Sequence, residues 1–287
     1  MVLPKGSLER ATLELFEAAD LPVNRSSSVD YQATIDDPRI ESVRILRPQE
    51  IPMYVEEGLF DIGITGRDWV EETNSTVQSL GQLKYSKATS KPIRLVVAVA
   101  GDNPATSVRE LTDGVRVQSE YPELTRRFFA DQGVDADVRL SYGATEAKIP
   151  DIADVVVEIT ETGRALRAAG LKVIDTILTS YTEVIANPAS AADPTKAKAM
   201  QQIMTLLNGV LEARGRVLLK LNVTAEQRDA VLEVLPSMKS PTVSPLSDGG
   251  FAVESVVEKA TINLVSPALR EAGATDLLEM PISKIVP

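Results

Sequence analysis

The stretch Asp154-Val-Val-Val-Glu158-Ile-Thr160-Glu-Thr162-Gly163-Arg164-Ala165-Leu166 decides how the chain is read. Val155, Val156, Val157 and Ile159 are apolar and β-branched, the pattern of a buried strand. Thr160 to Gly163 is a turn of small and polar residues. Arg164 to Ala169 then reads as the first turns of a helix, stopped by Gly170. Strand, tight turn and helix start together form a natural anion site. The N–H groups of the turn have no helical partner, and the helix dipole adds to the attraction. Thr160 and Thr162 add hydroxyl donors. Asp154 and Glu158 are four apart, which on a strand places them on one face. Beside a phosphate they would repel it, so they make sense as partners of sugar hydroxyls or of Mg²⁺. The alternative is an ordinary strand–helix corner with a capping threonine.

Outward from this stretch, strands and helices alternate. Val2 and Leu3 end a short first strand. Pro4-Lys5-Gly6-Ser7 follows, with Ser7 expected to cap a helix through Leu15, Phe16 and Ala19. Val43 to Leu46 is a strand, and Arg47-Pro48 is expected to open the next helix, which stops at Gly58. Phe60 to Thr65 is a strand with Gly66-Arg67-Asp68 as its exit, and Gly63 with Gly66 permits close backbone approach. Alternation of this kind predicts a parallel sheet with ligands beyond the C-terminal strand ends. Lys5, Arg47, Thr65, Gly66 and Arg67 all fall at such ends.

A second α/β unit begins with the strand Ile93 to Val99 and returns through Val173 to Leu178 and Thr182 to Ala186. Two lobes with a cleft between them follow, with residues 1–95 and 179–190 in the first and 96–178 in the second. Residues 191–287 are expected to hold a linker, a helix started by Asp193-Pro194 and a βαββαβ domain of ferredoxin-like type. Within it Thr224 and Gln227 suggest a capping box.

Composition narrows the chemistry. With 287 residues, 44% hydrophobic and 25% charged, the chain is that of an ordinary globular protein large enough for two or three domains. No run has the length of a membrane span and Met1-Val2-Leu3-Pro4 does not begin a signal peptide, so a cytoplasmic location is expected. Cys and His are both absent. Thiolate and imidazole ligands and a His base are thereby excluded, and any metal must be a hard cation on oxygen, Mg²⁺ first. The net charge of −11 disfavours nucleic acid as a partner.

Several blocks, in order, resemble one family. They are Leu3-Pro-Lys-Gly-Ser7, Leu46-Arg-Pro48, Phe60-Asp-Ile-Gly-Ile-Thr-Gly66, Ser119-Glu-Tyr-Pro122, Asp154 through Leu166, and Ser240-Pro-Thr-Val-Ser-Pro-Leu246. The chain resembles the long-form ATP phosphoribosyltransferases, which open histidine biosynthesis. The resemblance implies two lobes like a type II periplasmic binding protein plus a C-terminal ferredoxin-like regulatory domain. It implies ATP and phosphoribosyl pyrophosphate as substrates with Mg²⁺, L-histidine as inhibitor, and dimers and hexamers. It also argues against the separate histidyl-tRNA-synthetase-like partner of short forms.

Carried over residue by residue, Thr160, Glu161, Thr162, Gly163, Arg164 and Ala165 would form the phosphoribosyl loop. Glu158 and Asp154 would handle ribose or metal, with Glu158 as the metal ligand. Lys5, Arg47 and Arg67 would neutralise phosphate, and Gly6, Thr65 and Gly66 would complete the nucleotide site with Arg67. Asn222, Met238 and Thr242 would contact histidine. The chain departs from the family pattern at Glu158, where Asp is usual, at Ala165, where Thr is usual, and at Asp151, where Gly is usual. Two rivals stay open at this point: a small-anion binding protein on the same lobes, and a phosphoribosyltransferase for another base.

Overall fold

The computed structural model describes residues 1–27, 30–85 and 92–286. In chain order the first elements are β1 (Val2–Pro4), α1 (Glu9–Ala18), β2 (Gln32–Ala33), β3 (Val43–Leu46), α2 (Ile51–Glu56), β4 (Ile62–Gly66), α3 (Arg67–Thr73) and β5 (Gln78–Leu83). The second lobe follows with β6 (Ile93–Ala100), β7 (Val115–Ser119), α4 (Pro122–Asp131), β8 (Ala136–Leu140), β9 (Val155–Thr160), α5 (Arg164–Ala168) and β10 (Leu171–Ser180). β11 (Thr182–Ala186) then returns to the first lobe, and α6 (Pro188–Ala192) and α7 (Pro194–Ala213) lead onward.

The first sheet runs β2-β3-β1-β4-β11-β5 and the second β10-β6-β9-β7-β8. Set aside the edge strand β2, and both have one plan: second strand, first, third, an antiparallel strand, fourth. The antiparallel strand is in each case the one that arrives from the other lobe, β11 or β6. These are type II periplasmic-binding-protein lobes. The fully parallel sheet expected from alternation is corrected to two mixed sheets, because each lobe accepts a crossing strand against its parallel core.

The valine run of β9 is explained by burial on both faces. Val155 and Val157 pack with Leu95, Val97 and Val99, while Val156 packs with Val96, Ala98 and Leu166. Each such side chain contributes roughly 1.5–3 kcal/mol on burial. Gly63 is required by packing: a Cβ there would stand 2.8 Å from Ile51 and 2.9 Å from Val2.

Local start signals fared unevenly. Asp193 caps α7 as expected, accepting from the N–H groups of Thr195 and Lys196 at 2.8 and 2.9 Å. Ser7 does not cap α1; a 3-10 turn over Gly6–Leu8 intervenes. The helix expected from Arg47-Pro48 begins instead at Ile51, with Pro52 in its first turn. The linker after Asn187 contains α6, capped by the Asn187 side chain. Thr224 and Gln227 meet only each other's side chains, at 3.2 Å, so there is no capping box.

The chain divides into two compact units, Met1–Met204 and Thr205–Pro287. The second contains β12 (Arg216–Val223), α8 (Arg228–Val234), β13 (Thr242–Pro245), β14 (Phe251–Glu258), α9 (Ile262–Glu271) and β15 (Thr275–Pro281). Its sheet order, β13-β14-β12-β15, is ferredoxin-like. Val217, Leu219, Leu221 and Val223 alternate onto the core under α8 and α9, with Val253, Val231 and Leu269.

Candidate functional site

β1, β3 and β4 are parallel, as are β7, β8 and β9, so each lobe presents one C-terminal sheet edge. A cleft of about 430 Å³ opens between them. The first lobe lines it with Ser7, Leu8, Gln49, Gly66, Asp68 and Trp69. The second contributes Glu120, Tyr121, Ile159, Thr160 and Glu161, and the crossing segment Ser180, Tyr181 and Thr182.

The loop has the shape read from sequence. Gly163, at φ 70°, holds the left-handed conformation that precedes α5. A Cβ at Gly163 would lie 2.9 Å from the guanidinium of Arg167, which in turn donates to the Thr162 carbonyl at 3.0 Å. Its donors are distributed differently from the expectation. The N–H of Gly163 already donates to Thr160 Oγ1 at 2.6 Å, and that of Arg164 to Thr162 Oγ1 at 3.4 Å. A hydroxyl that accepts in this way keeps its own O–H to donate. The loop therefore offers an anion the hydroxyls of Thr160 and Thr162. It also offers the amides of Thr162 and Ala165, which meet no acceptor among the described residues. With five residues, α5 adds little dipole.

Glu158 has Thr145 beside it, one member of a hydrogen-bonded cluster that local sequence signals do not show. Ser141 Oγ lies 2.9 Å from Thr145 Oγ1, and Lys148 Nζ donates to Ser141 Oγ at 2.5 Å. An ammonium only donates, so Ser141 accepts from Lys148. Burial raises the Glu158 carboxyl above its ordinary range; the Thr145 side chain opposes this, and the charge of Glu146 adds to it. Register sets Arg94 opposite Thr160 and Val96 opposite Glu158, so Arg94 shares their face of the sheet. Arg94, Ser141, Thr145 and Lys148 were all missed from sequence.

A second buried cluster joins the lobes. Asp68 accepts from Tyr121 Oη and from Ser180 Oγ, both at 2.6 Å, and its own N–H donates to Ser180 Oγ at 3.0 Å. Burial raises the Asp68 carboxyl, against the pull of these donors. Burial and the charge of Asp68 push the Tyr121 hydroxyl well above its ordinary value. Trp69 stacks on Tyr121 with ring centres 4.3 Å apart. Gly66 must be glycine because a Cβ would stand 2.1 Å from Asp68 Oδ1.

Other expected site residues are placed elsewhere. Asp154 precedes β9 and is gripped by Arg116, through its N–H at 3.0 Å and its guanidinium at 2.7 and 3.1 Å. That pairing holds the carboxyl below its ordinary range. Four residues of strand, about 13 Å, separate it from Glu158, so the two acids do not act together. Thr65 is fully buried and its hydroxyl donates to the Pro48 carbonyl at 2.8 Å, which removes it from the nucleotide site. Arg67 opens α3 and is committed to Glu71 and, at 3.6 Å, to Glu183. Gly6 donates its N–H to Glu9 at 3.3 Å. Lys5 and Arg47 follow β1 and β3 at the C-terminal edge of their sheet, and neither is among the residues lining the cleft. Lys5 rests 3.9 Å over the Tyr31 ring and Arg47 is exposed.

In the C-terminal unit Asn222 lies on the face of β12 opposite the helices and donates to Asp276 at 3.1 Å. Met238 touches Arg216 at the other end of β12, at 3.8 Å, and Thr242 is exposed on the edge strand. Six residues of strand, roughly 20 Å, separate Asn222 from Arg216. Asn222 and Met238 thus have different partners, Asp276 and Arg216.

The family model described as ATP phosphoribosyltransferase matches residues 47–209, and that of the HisG C-terminal domain matches 213–284. An ATP phosphoribosyltransferase of Pelotomaculum thermopropionicum is 45% identical, covering 99% of this chain and 98% of its own. One from Desulforudis audaxviator is 44% identical with the same coverage. Among solved structures, the ATP phosphoribosyl transferase (HisG:HisZ) complex from Thermotoga maritima shares the fold at a TM-score of 0.62. It has 23% identity and covers 72% of this chain and 97% of that one.

Proposed function

Since the chain belongs to the ATP phosphoribosyltransferase family, which performs the first step of histidine biosynthesis, we propose that its cleft joins N1 of ATP's adenine to C1 of phosphoribosyl pyrophosphate and releases pyrophosphate. The carrying observation is the threonine loop at the C-terminal edge of β9, whose Thr160 and Thr162 hydroxyls accept from loop amides and keep their own protons to donate, beside a half-buried Glu158. In this reading the Thr160–Ala165 loop binds the 5-phosphate. Glu158 accepts from the ribose hydroxyls. Lys5, Arg47, Arg94, Arg164 and Lys148 lower the cost of gathering two polyanions in one cleft. The reaction needs little more than positioning and charge stabilisation at an oxocarbenium-like centre. Adenine N1 attacks as a neutral nucleophile, so a chain without histidine is not handicapped.

Among the described residues no three acids converge into a protein cage for a metal. Mg²⁺ is commonly held by one or two carboxylates together with substrate phosphates and water. Glu158, with Glu161 at the cleft wall, supplies hard oxygens of that kind. Such an ion, bound with the substrate, makes pyrophosphate a better leaving group. Asp154 has no part in this reading, because Arg116 occupies it.

The rival reading of a passive anion binder gives no role to a half-buried carboxylate, Glu158, on the strand that leads into the loop. Histidine inhibition through the C-terminal domain is part of the proposal, as are dimers and hexamers and a place in the cytoplasm. The test mixes ATP, Mg²⁺ and phosphoribosyl pyrophosphate and follows pyrophosphate together with the ultraviolet change of N1-substituted adenine. Absence of both signals from folded protein overturns the assignment.

A further inference from the structure

Among the described residues that line the cleft, one buried side-chain atom has no hydrogen-bond partner: Gln49 Oε1, in the turn between β3 and α2. Its Nε2 reaches across the lobes to Glu120 Oε1 at 3.5 Å. This orientation is fixed by chemistry, because turning the amide over would set its oxygen against a carboxylate. A buried acceptor left unsatisfied costs the protein stability, so its retention calls for an explanation. Both residues line the cleft that also contains Thr160 and the stacked Trp69–Tyr121 pair. Glu120 belongs to the Ser119–Pro122 block, to which the proposed function gives no role.

The geometry points to Gln49 and Glu120 as the reader of the exocyclic amine of the nucleotide base, with Glu120 also stabilising the charge that the reaction creates on that base. The inference rests on the proposed function. An aminopurine presents two N–H donors on its amine. Gln49 Oε1 and a Glu120 carboxylate oxygen, one from each lobe, supply two acceptors. Leu8 and Trp69 give the cleft apolar wall for the ring. In the reaction the N1 lone pair forms the N1–C1 bond while the C1–O bond breaks and its electron pair leaves on pyrophosphate. The base thereby gains one positive charge, shared between N1 and the amine, whose N–H groups become stronger donors. A carboxylate accepting from the amine binds that state more tightly than the neutral base, and such a difference accelerates a reaction. A 6-oxo base offers an oxygen to the same two acceptors and is repelled.

The test measures equilibrium binding of ATP and ITP to the full chain, without the sugar phosphate, and steady-state turnover with it. Gln49→Met removes the orphan acceptor at similar volume. It should raise the melting temperature of the free protein, weaken ATP by about tenfold, and narrow the preference for ATP over ITP. Glu120→Gln keeps an acceptor but loses the charge. It should leave KM for ATP within a small factor, lower kcat by about tenfold or more, and improve ITP binding, since its amide can turn a donor toward the oxygen. An unchanged ATP-to-ITP ratio in Gln49→Met, or an unchanged kcat in Glu120→Gln, overturns the inference. Wild-type protein that makes no product at all would instead refute the proposed function, and the binding ratios would still report on the amine reader.

Discussion

Tyr121→Phe isolates the bond that ties the two lobes through Asp68. The ring stays, so stacking on Trp69 is kept, and only the hydroxyl that donates to Asp68 Oδ2 at 2.6 Å is lost. A hydrogen bond to a charged group contributes about 1.5–3 kcal/mol, and one to a neutral group about half that. Asp68 is buried and its carboxyl is raised above its ordinary value. The folded protein therefore holds that proton more tightly than the unfolded chain does. Stability contributed by the site falls as pH rises from the ordinary carboxylate range through the folded value. Tyr121 favours the ionised acid, so its removal raises the carboxyl further and deepens that fall. Thermal unfolding of both proteins from about pH 4 to about pH 9 reads the effect. The expected loss at the alkaline end is roughly 4–10 °C for a unit of this size, shrinking toward the acid end. A loss that does not vary with pH, or none at all, refutes the reasoning.

Gly163→Val places a β-branched residue at positive φ against Arg167, and it should abolish binding of phosphoribosyl pyrophosphate while the protein remains folded; calorimetry showing wild-type affinity would contradict the loop assignment. Glu158→Ala should lower kcat by about 10² or more if the carboxylate touches the ribose in the transition state, and a normal turnover number would reduce it to a structural acid. Asp154→Asn should shift the melting temperature slightly and leave kcat and KM alone, since its partner Arg116 lies on the surface and the pair sits far from the loop. Thr65→Val should cost about 0.5–1.5 kcal/mol for the lost bond to Pro48 with no change in nucleotide affinity, measured by denaturant unfolding and by titration.

What could be read from the chain was what lies close together along it. Four β-branched residues, a threonine turn and a glycine at the right step are local signals, and β9, Gly163 and α5 fall where they were expected. Ferredoxin-like order in the C-terminal unit was legible for the same reason, from alternation such as Val217, Leu219, Leu221 and Val223. Failures came where a distant segment intervenes. Period-two spacing put Asp154 and Glu158 on one face, yet Arg116, arriving on the neighbouring strand, claims the first. Thr65 looked like a strand-end ligand until Pro48 took its hydroxyl. Asp68 meets Ser180 across 112 positions and Tyr121 across 53, and no local pattern announces such a meeting. The mixed sheets have the same origin, since only the crossing of β6 and β11 between lobes turns parallel cores into mixed ones.

The exchange of strands also bears on how an acidic protein binds two polyanions. A net charge of −11 spread over the whole surface is screened over about 10 Å at ordinary salt. What an incoming phosphate meets is the local field, and here that field is assembled from separate segments. Lys5 and Arg47 follow β1 and β3 at one sheet edge, while Arg94 on β6, Lys148 after β8 and Arg164 after β9 stand at the other. Because β6 is the strand delivered from the opposite lobe, Arg94 sits where the chain crosses between the two. In the proposed function, the phosphates of the two substrates would meet cations from both edges, so the local field rather than the net charge would govern their binding.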